Sequence, residues 1–170
     1  MNTKSVATMG IFVALMIGGQ LALYTINGIE VVSLLLLTYS FKFGIKKGLF
    51  VATTFSVLRC FIFGFIPQVI ILYLVYYNLF SVICGIIGKK FNNEYSVKTH
   101  LILTIVAILL TIFFTLLDNI ITPLFYGYNK ESFIAYAYAS LYALIPHTLC
   151  VGISVTLLFK PMHKILVMID

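Results

Sequence analysis

Long apolar runs make up most of this chain, and only short polar stretches separate them. The runs are continuous and do not alternate between apolar and polar positions, so they predict helices and not the strands of a barrel. About 20 apolar residues suffice for a helix to cross the hydrocarbon core of a bilayer. Six runs are present, at residues 6–26, 28–43, 48–65, 67–88, 99–121 and 133–159. The pattern predicts an all-α integral membrane protein in which residues 1–170 form one bundle of six transmembrane helices.

The ends of these runs are set by prolines and by polar residues. The first run could be read as a signal peptide, but it exceeds the usual apolar length of roughly 7–15 residues and has no obvious cleavage site. The second run is short for a span and could begin in the interface or where the bilayer thins. Pro67 suits the first turn of the fourth helix. We expect the fifth helix to end at Pro123 and the sixth at Lys160-Pro161.

Composition excludes a soluble domain and, with it, a nucleic-acid-binding one. Hydrophobic residues make up 62% of the chain and charged residues 9%, whereas soluble domains carry roughly 25% charged residues. Although the net charge is +6, a basic patch for nucleic acid would need a folded soluble face. We therefore interpret the charge as a signal of membrane topology.

The distribution of basic residues predicts the orientation. With six spans, nine of the eleven Lys and Arg residues fall on one side of the membrane, and the exceptions are Arg59 and Lys130. The nine are Lys4, Lys42, Lys46, Lys47, Lys89, Lys90, Lys98, Lys160 and Lys164. Since cytoplasmic loops carry the excess of Lys and Arg, both termini are predicted to lie in the cytoplasm. We expect a multi-pass protein of a cell membrane, specifically a bacterial plasma membrane.

Four ionisable residues lie within or beside the apolar runs: Glu30, Arg59, Asp118 and His147. Such groups are costly in lipid and are therefore functional candidates. Most map to the outer half of the predicted bundle. The polar neighbours selected at the same level are Gln20, Asn27, Gln68, Tyr73, Asn119, Tyr126 and Tyr138. Together they predict an outward-facing substrate-binding pocket, in which we expect Asp118 and Asn119 to face Arg59.

The same residues also have purely structural interpretations. Tyrosines near an interface can be membrane anchors only, and Glu30 could lie among the lipid headgroups. Arg59 could pair with Asp118 for structural reasons alone. His147 follows Pro146 and could bond a carbonyl freed by a helix kink.

Catalytic and metal-binding patterns are not evident in the sequence. It contains no Walker motif, no His-Glu-x-x-His and no paired carboxylates at helical spacing, so we expect neither an enzyme nor a cofactor in this chain. The cysteines Cys60, Cys84 and Cys150 lie inside apolar runs without paired spacing. We interpret them as packing residues and not as metal ligands or disulfide partners.

The first helix carries a small-residue stripe, which consists of Ala7, Gly10, Ala14 and Gly18. These positions recur every three or four residues and share one face of a helix. Small residues allow another helix to approach closely. The stripe could pack inside the bundle or dock a separate membrane partner.

Taken together, the chain resembles the substrate-binding S component of an energy-coupling factor (ECF) transporter. The resemblance covers essentially the whole chain and includes its small size, the six helices and the stripe. It also includes the segment GIEVVSLL at residues 28–35, Phe43-Gly44 with Gly48, and Phe63-Gly64-Phe65.

The resemblance implies capture of a vitamin or related micronutrient at the outward pocket. It also implies association with a transmembrane coupling subunit and two cytoplasmic ATPase subunits, which use the ATP. The family's first-helix Ala-x-x-x-Ala docking motif would correspond to Gly10 and Ala14. The alternatives are a small structural or assembly membrane protein of the cell envelope, or a membrane enzyme that uses Asp118 or His147.

Overall fold

The computed structural model describes residues 3–26 and 29–169, and in this part of the chain the structure is helical and has no strands. Its elements are α1 (Thr3–Ala22), α2 (Val32–Phe43), α3 (Ile45–Phe63), α4 (Pro67–Lys90), α5 (Val97–Tyr126) and α6 (Lys130–Ile169). The predicted all-α fold with six helices is thereby confirmed.

The helices differ in whether their length and composition would allow them to cross a bilayer. Four of those described, α1, α4, α5 and α6, are long and apolar enough to cross a membrane. Helix α3 has 19 residues but includes two lysines and Arg59. Helix α2 has only 12 residues, which is about 18 Å and short of a hydrocarbon core of roughly 30 Å. The predicted bundle therefore combines long helices with one short one.

Helix α2 forms the centre of the bundle. Residues 32–41 are all buried, and α2 contacts each of the other five helices. Its side chains from residue 32 to residue 41 consequently pack against protein and not against lipid, which explains why a run too short to span is still mostly apolar.

Two predicted helix ends are wrong, because both helices continue through a proline. Helix α5 passes Pro123 and ends at Tyr126, where Gly127 has a left-handed φ of 61° and donates its N–H to the Pro123 carbonyl. Helix α6 passes both Pro146 and Pro161 and extends to Ile169. A proline removes one backbone hydrogen bond, a loss that membrane helices tolerate when neighbouring groups satisfy the freed carbonyl.

Close packing of α2, α3 and α4 depends on small residues. A Cβ atom at Gly48 would lie 2.3 Å from Ser81 Oγ, and one at Gly88 would lie 2.1 Å from the Phe41 carbonyl oxygen. The hydroxyl oxygens of Ser40 and Ser81 are 3.0 Å apart. Only glycine at these positions permits such an approach, so these contacts fix the separation of the three helices.

The predicted lysine-rich side corresponds to one end of the bundle. There His163 Nε2 lies 2.9 Å from the Asn93 carbonyl oxygen, and its ring packs on Phe41 and Phe159. These contacts join the end of α2, the loop after α4 and the end of α6. The assignment of this end to the cytoplasm stays a prediction.

Candidate functional site

A polar cavity of about 280 Å³ lies at the end of the bundle opposite to the lysines. This volume is close to the lower limit of small-molecule sites, which is roughly 300 Å³. We call it the central cavity. Its charged, polar and aromatic lining comes from α1, the segment before α2, and helices α3 to α6: Gln20, Tyr24, Glu30, Arg59, Tyr73, Tyr76, Tyr77, Phe114 and His147.

Glu30 lies inside the bundle, and its carboxylate contacts three other side chains. Its carboxylate accepts a hydrogen bond from the Ser33 hydroxyl and a longer one, 3.5 Å, from Tyr77 Oη. Its Oε1 is 3.3 Å from His147 Nε2, and the Glu30 side chain is only 17% exposed. In addition, Cys150 Sγ donates to the Glu30 carbonyl oxygen at 3.7 Å. Glu30 is therefore enclosed by protein, and His147 pairs with it and not with a carbonyl freed by Pro146.

Arg59 is held by an amide and by two aromatic rings. Its Nε donates to Gln20 Oε1 at 3.2 Å, and Gln20 Nε2 in turn donates to Tyr73 Oη at 3.2 Å. The guanidinium carbon lies 4.4 Å from the centre of the Tyr73 ring and 5.0 Å from that of Phe63. Stacking of this kind stabilises a cation without neutralising it.

Three tyrosines of α4 form the aromatic wall of the central cavity. Tyr73, Tyr76 and Tyr77 are spaced by three and four residues, so they share one face of the helix. Their rings pack edge to face, with centroids 5.0 Å apart for Tyr73 and Tyr77 and 4.9 Å for Tyr76 and Tyr77. Phe114 of α5 packs on Tyr76 at 4.7 Å. Of these three tyrosines the sequence analysis selected only Tyr73 as a site residue, although their helical spacing indicates that all three share one face.

The Tyr76 hydroxyl is a buried polar group without a hydrogen bond. Tyr76 is 2% exposed, and its oxygen has no hydrogen-bond partner in the structure. Buried hydroxyl groups are nearly always bonded. The oxygen is shielded from the central cavity, so only the ring of Tyr76 is available to a ligand there.

Asp118 does not face Arg59, and that prediction is wrong. The Asp118 carboxylate accepts hydrogen bonds of 2.6 Å from Thr122 Oγ1 and from Tyr136 Oη. No ion pair joins Arg59 to Asp118. The cause is the rotation of α5, which directs Asp118 towards α6, whereas Arg59 projects from α3 on the other side of the central cavity.

Asp118 lines a second cavity of about 300 Å³ between α5 and α6, which we call the side cavity. Phe114 and His147 line both cavities. Their rings contact each other edge to face at 6.0 Å. The two cavities are thus separated by a wall made of two side chains.

Other predicted site residues lie away from the central cavity. Asn119 lines an apolar groove between α5 and α6, and its Oδ1 is buried without a partner. Gln68 is buried and donates to Tyr126 Oη at 2.6 Å. Tyr138 is 72% exposed. Asn27 lies outside the described residues. The predicted residues that the central cavity brings together are Gln20, Glu30, Arg59, Tyr73 and His147.

The small-residue stripe of α1 faces outward. All four of its residues are exposed, whereas the buried face of α1 consists of Met9, Phe12, Val13 and Met16. A Cβ atom added at Gly10 or Gly18 would meet nothing within 4 Å. The interpretation of the stripe as packing within the bundle is therefore wrong.

Metal ligation finds no support in the geometry of the described residues. There, no group of three or more His, Cys, Asp or Glu side chains is placed to hold a metal ion. Cys60 and Cys84 are buried, Cys150 is half-buried, and all three are free thiols.

The fold and the cavity define a class, an α-helical protein with helices long and apolar enough to span a membrane and a cavity lined by charged and aromatic residues at one end of the bundle. No family model matches the chain, and no curated protein and no solved structure matches it either.

Proposed function

We propose that this protein is the substrate-capture subunit of an ECF-type transporter. It binds a vitamin or related micronutrient in the central cavity, and partner subunits drive uptake with ATP. The observation that carries the proposal is the cavity itself, in which Glu30, Arg59 and His147 surround a volume suited to a small molecule.

The energetics of the cavity favour a binding role over a purely structural one. An ionised side chain at the centre of a membrane helix costs roughly 2.5–3.5 kcal/mol on insertion scales. A structural bundle would gain stability by filling this volume with apolar side chains, since packed apolar replacements of buried charges are often neutral or stabilising. Retaining three ionisable groups around an open space is instead typical of a site with a polar ligand.

The outward stripe on α1 supports a partner within the membrane. Helices associate in lipid through close van der Waals contact between small residues. Ala7, Gly10, Ala14 and Gly18 are exposed, so a helix of a coupling subunit could approach the α1 backbone there.

Native mass spectrometry of the purified full-length protein tests the proposal. We expect a small molecule to be retained by the wild type and released by Gln20→Leu, which removes the amide that links Arg59 to Tyr73. Lys130→Gln, at an exposed position, is the control and should retain the molecule. A wild-type protein that carries no small molecule and gains no thermal stability from any vitamin would contradict the proposal.

A further inference from the structure

Resting on the proposed function, we infer that the ligand is a small organic anion that carries one carboxylate on a flat ring. Its carboxylate binds the Arg59 guanidinium, its ring packs against the tyrosines of α4, and its other edge donates a hydrogen bond to Glu30.

Arg59 is the anion-binding group because, among the residues that the structure describes, no carboxylate lies within ion-pair distance of its guanidinium. No ion pair joins it to Glu30 or to Asp118. The structure records a hydrogen bond from its Nε to Gln20, whereas a guanidinium has five N–H donors. The ring of Tyr73 lies against its face, which leaves the edge of the guanidinium available for the two parallel hydrogen bonds that a carboxylate accepts.

Glu30 restricts the ligand to a single negative group. It lines the same small cavity as Arg59, so a second anionic group on the ligand would approach its carboxylate and be repelled. Glu30 already accepts bonds from Ser33 and Tyr77 and pairs with His147. A ligand N–H or O–H could donate one more hydrogen bond to the Glu30 carboxylate. A dicarboxylate or an organic phosphate would instead bring a second negative group close to it.

The aromatic lining favours a flat ring between these two ends. Tyr73, Tyr76, Tyr77 and Phe114 all line the cavity, and aromatic rings pack on one another in offset or edge-to-face geometry.

Matched pairs of ring carboxylates and their carboxamides test the inference. Benzoate and benzamide, nicotinate and nicotinamide, and 2-naphthoate and 2-naphthamide differ within each pair only in the charged group. Thermal-shift titrations use the purified full-length protein in detergent at neutral pH. For at least one pair, we expect the carboxylate to bind at least tenfold more tightly than its amide.

Variants of Arg59 assign this preference to the guanidinium. Arg59→Gln should abolish the difference between carboxylate and amide, and Arg59→Lys should retain part of it. Lys130→Gln removes a positive charge at an exposed position and should leave the preference intact. Equal binding of each carboxylate and its amide to the wild type, no binding of any carboxylate, or a preference that persists in Arg59→Gln would overturn the inference.

Native mass spectrometry of the wild type provides a second readout that does not depend on the variants folding. A retained molecule with one carboxylate supports the inference. A retained neutral or cationic micronutrient overturns it while leaving the proposed function in place. Conversely, carboxylate binding by a protein that never associates with coupling subunits would refute the proposed function but not the ligand chemistry.

Discussion

Glu30 precedes the central helix and His147 lies within the last one, yet Oε1 of the first is 3.3 Å from Nε2 of the second. The contact links the entrance of α2 to α6 beside the central cavity. Each side chain is largely enclosed, with 17% of the Glu30 side chain and 21% of the His147 side chain exposed. Removing either one therefore deprives the other, a poorly solvated polar group, of one of its partners.

A double-mutant cycle on this pair should reveal coupling. We expect Glu30→Gln and His147→Gln each to lower the free energy of unfolding by about 1–3 kcal/mol, because each weakens the contact between two partly buried polar groups. The double variant should lose less than the sum, with a coupling of roughly 0.5–3 kcal/mol. Unfolding in mixed micelles gives the free energies, and strictly additive losses would show that the two side chains do not interact.

The bond between Asp118 and Tyr136 should contribute to stability more than to binding in the central cavity. Tyr136→Phe removes a 2.6 Å hydrogen bond to the Asp118 carboxylate, and bonds to charged groups contribute about 1.5–3 kcal/mol. We expect a lower unfolding temperature with unchanged ligand affinity, and Asp118→Asn should behave alike. The control is Tyr138→Phe at an exposed position. A tenfold loss of affinity, equal to about 1.4 kcal/mol, would mean that the ligand also enters the side cavity.

Substitution by alanine should have opposite effects on stability at two glycines. Gly88→Ala places a Cβ 2.1 Å from the Phe41 carbonyl oxygen, so α4 must move away from α2 and the protein should lose at least about 3 kcal/mol, the upper part of the range for overpacking. Gly10→Ala meets nothing within 4 Å and should raise helix stability by up to about 1 kcal/mol. Thermal unfolding of both variants in one detergent checks the contrast, and similar effects at the two sites would contradict the packing described.

Bulky residues on the stripe should impair uptake but not binding. Gly10→Leu and Ala14→Leu project into the membrane from α1, where they would obstruct a partner helix. Ala135→Leu adds the same bulk at an exposed position of α6 and is the control. We expect reduced cellular uptake for the α1 variants, with normal ligand binding by the isolated proteins. Normal uptake by both would remove the stripe from the docking surface.

Cysteine labelling can determine the orientation. Lys130→Cys should react with a membrane-impermeant maleimide in intact cells, and Lys90→Cys only after permeabilisation, because the lysine-rich end is predicted to be cytoplasmic. Both positions are exposed. The wild-type chain serves as the background control, because Cys60 and Cys84 are buried but Cys150 is only half-buried. The reverse labelling pattern would invert the predicted topology.

Hydropathy was sufficient to predict the number and type of the helices, because lipid requires each spanning segment to satisfy its own backbone. It could not predict where α5 and α6 end. A proline ends a helix when the carbonyl that it leaves without a hydrogen bond finds no other partner. Whether such a partner exists depends on tertiary packing. Pro123 and Pro161 therefore lie inside helices, although the sequence predicted ends at both.

Helix rotation limited the prediction of the site. Sequence reasoning selected Glu30, Arg59 and His147 because the cost of an ionisable group in lipid is independent of the fold, and the structure places all three on the central cavity. It predicted that Asp118 faces Arg59. The depth of a residue along a helix can be inferred from the sequence, but the direction of its side chain around the helix axis cannot. The same limit applied to the stripe, whose outward direction became evident only from the buried face of α1.

The short central helix has a consequence for how the protein is assembled. In the simplest scheme for membrane proteins, each helix first inserts independently and the helices then associate. Helix α2 cannot follow this scheme, because its 12 residues are too few to cross the bilayer alone. It must enter together with its neighbours in the chain and become enclosed as they close around it. Since Glu30 directly precedes α2 and pairs with His147 of α6, the central cavity is complete only when α2 and α6 have packed together.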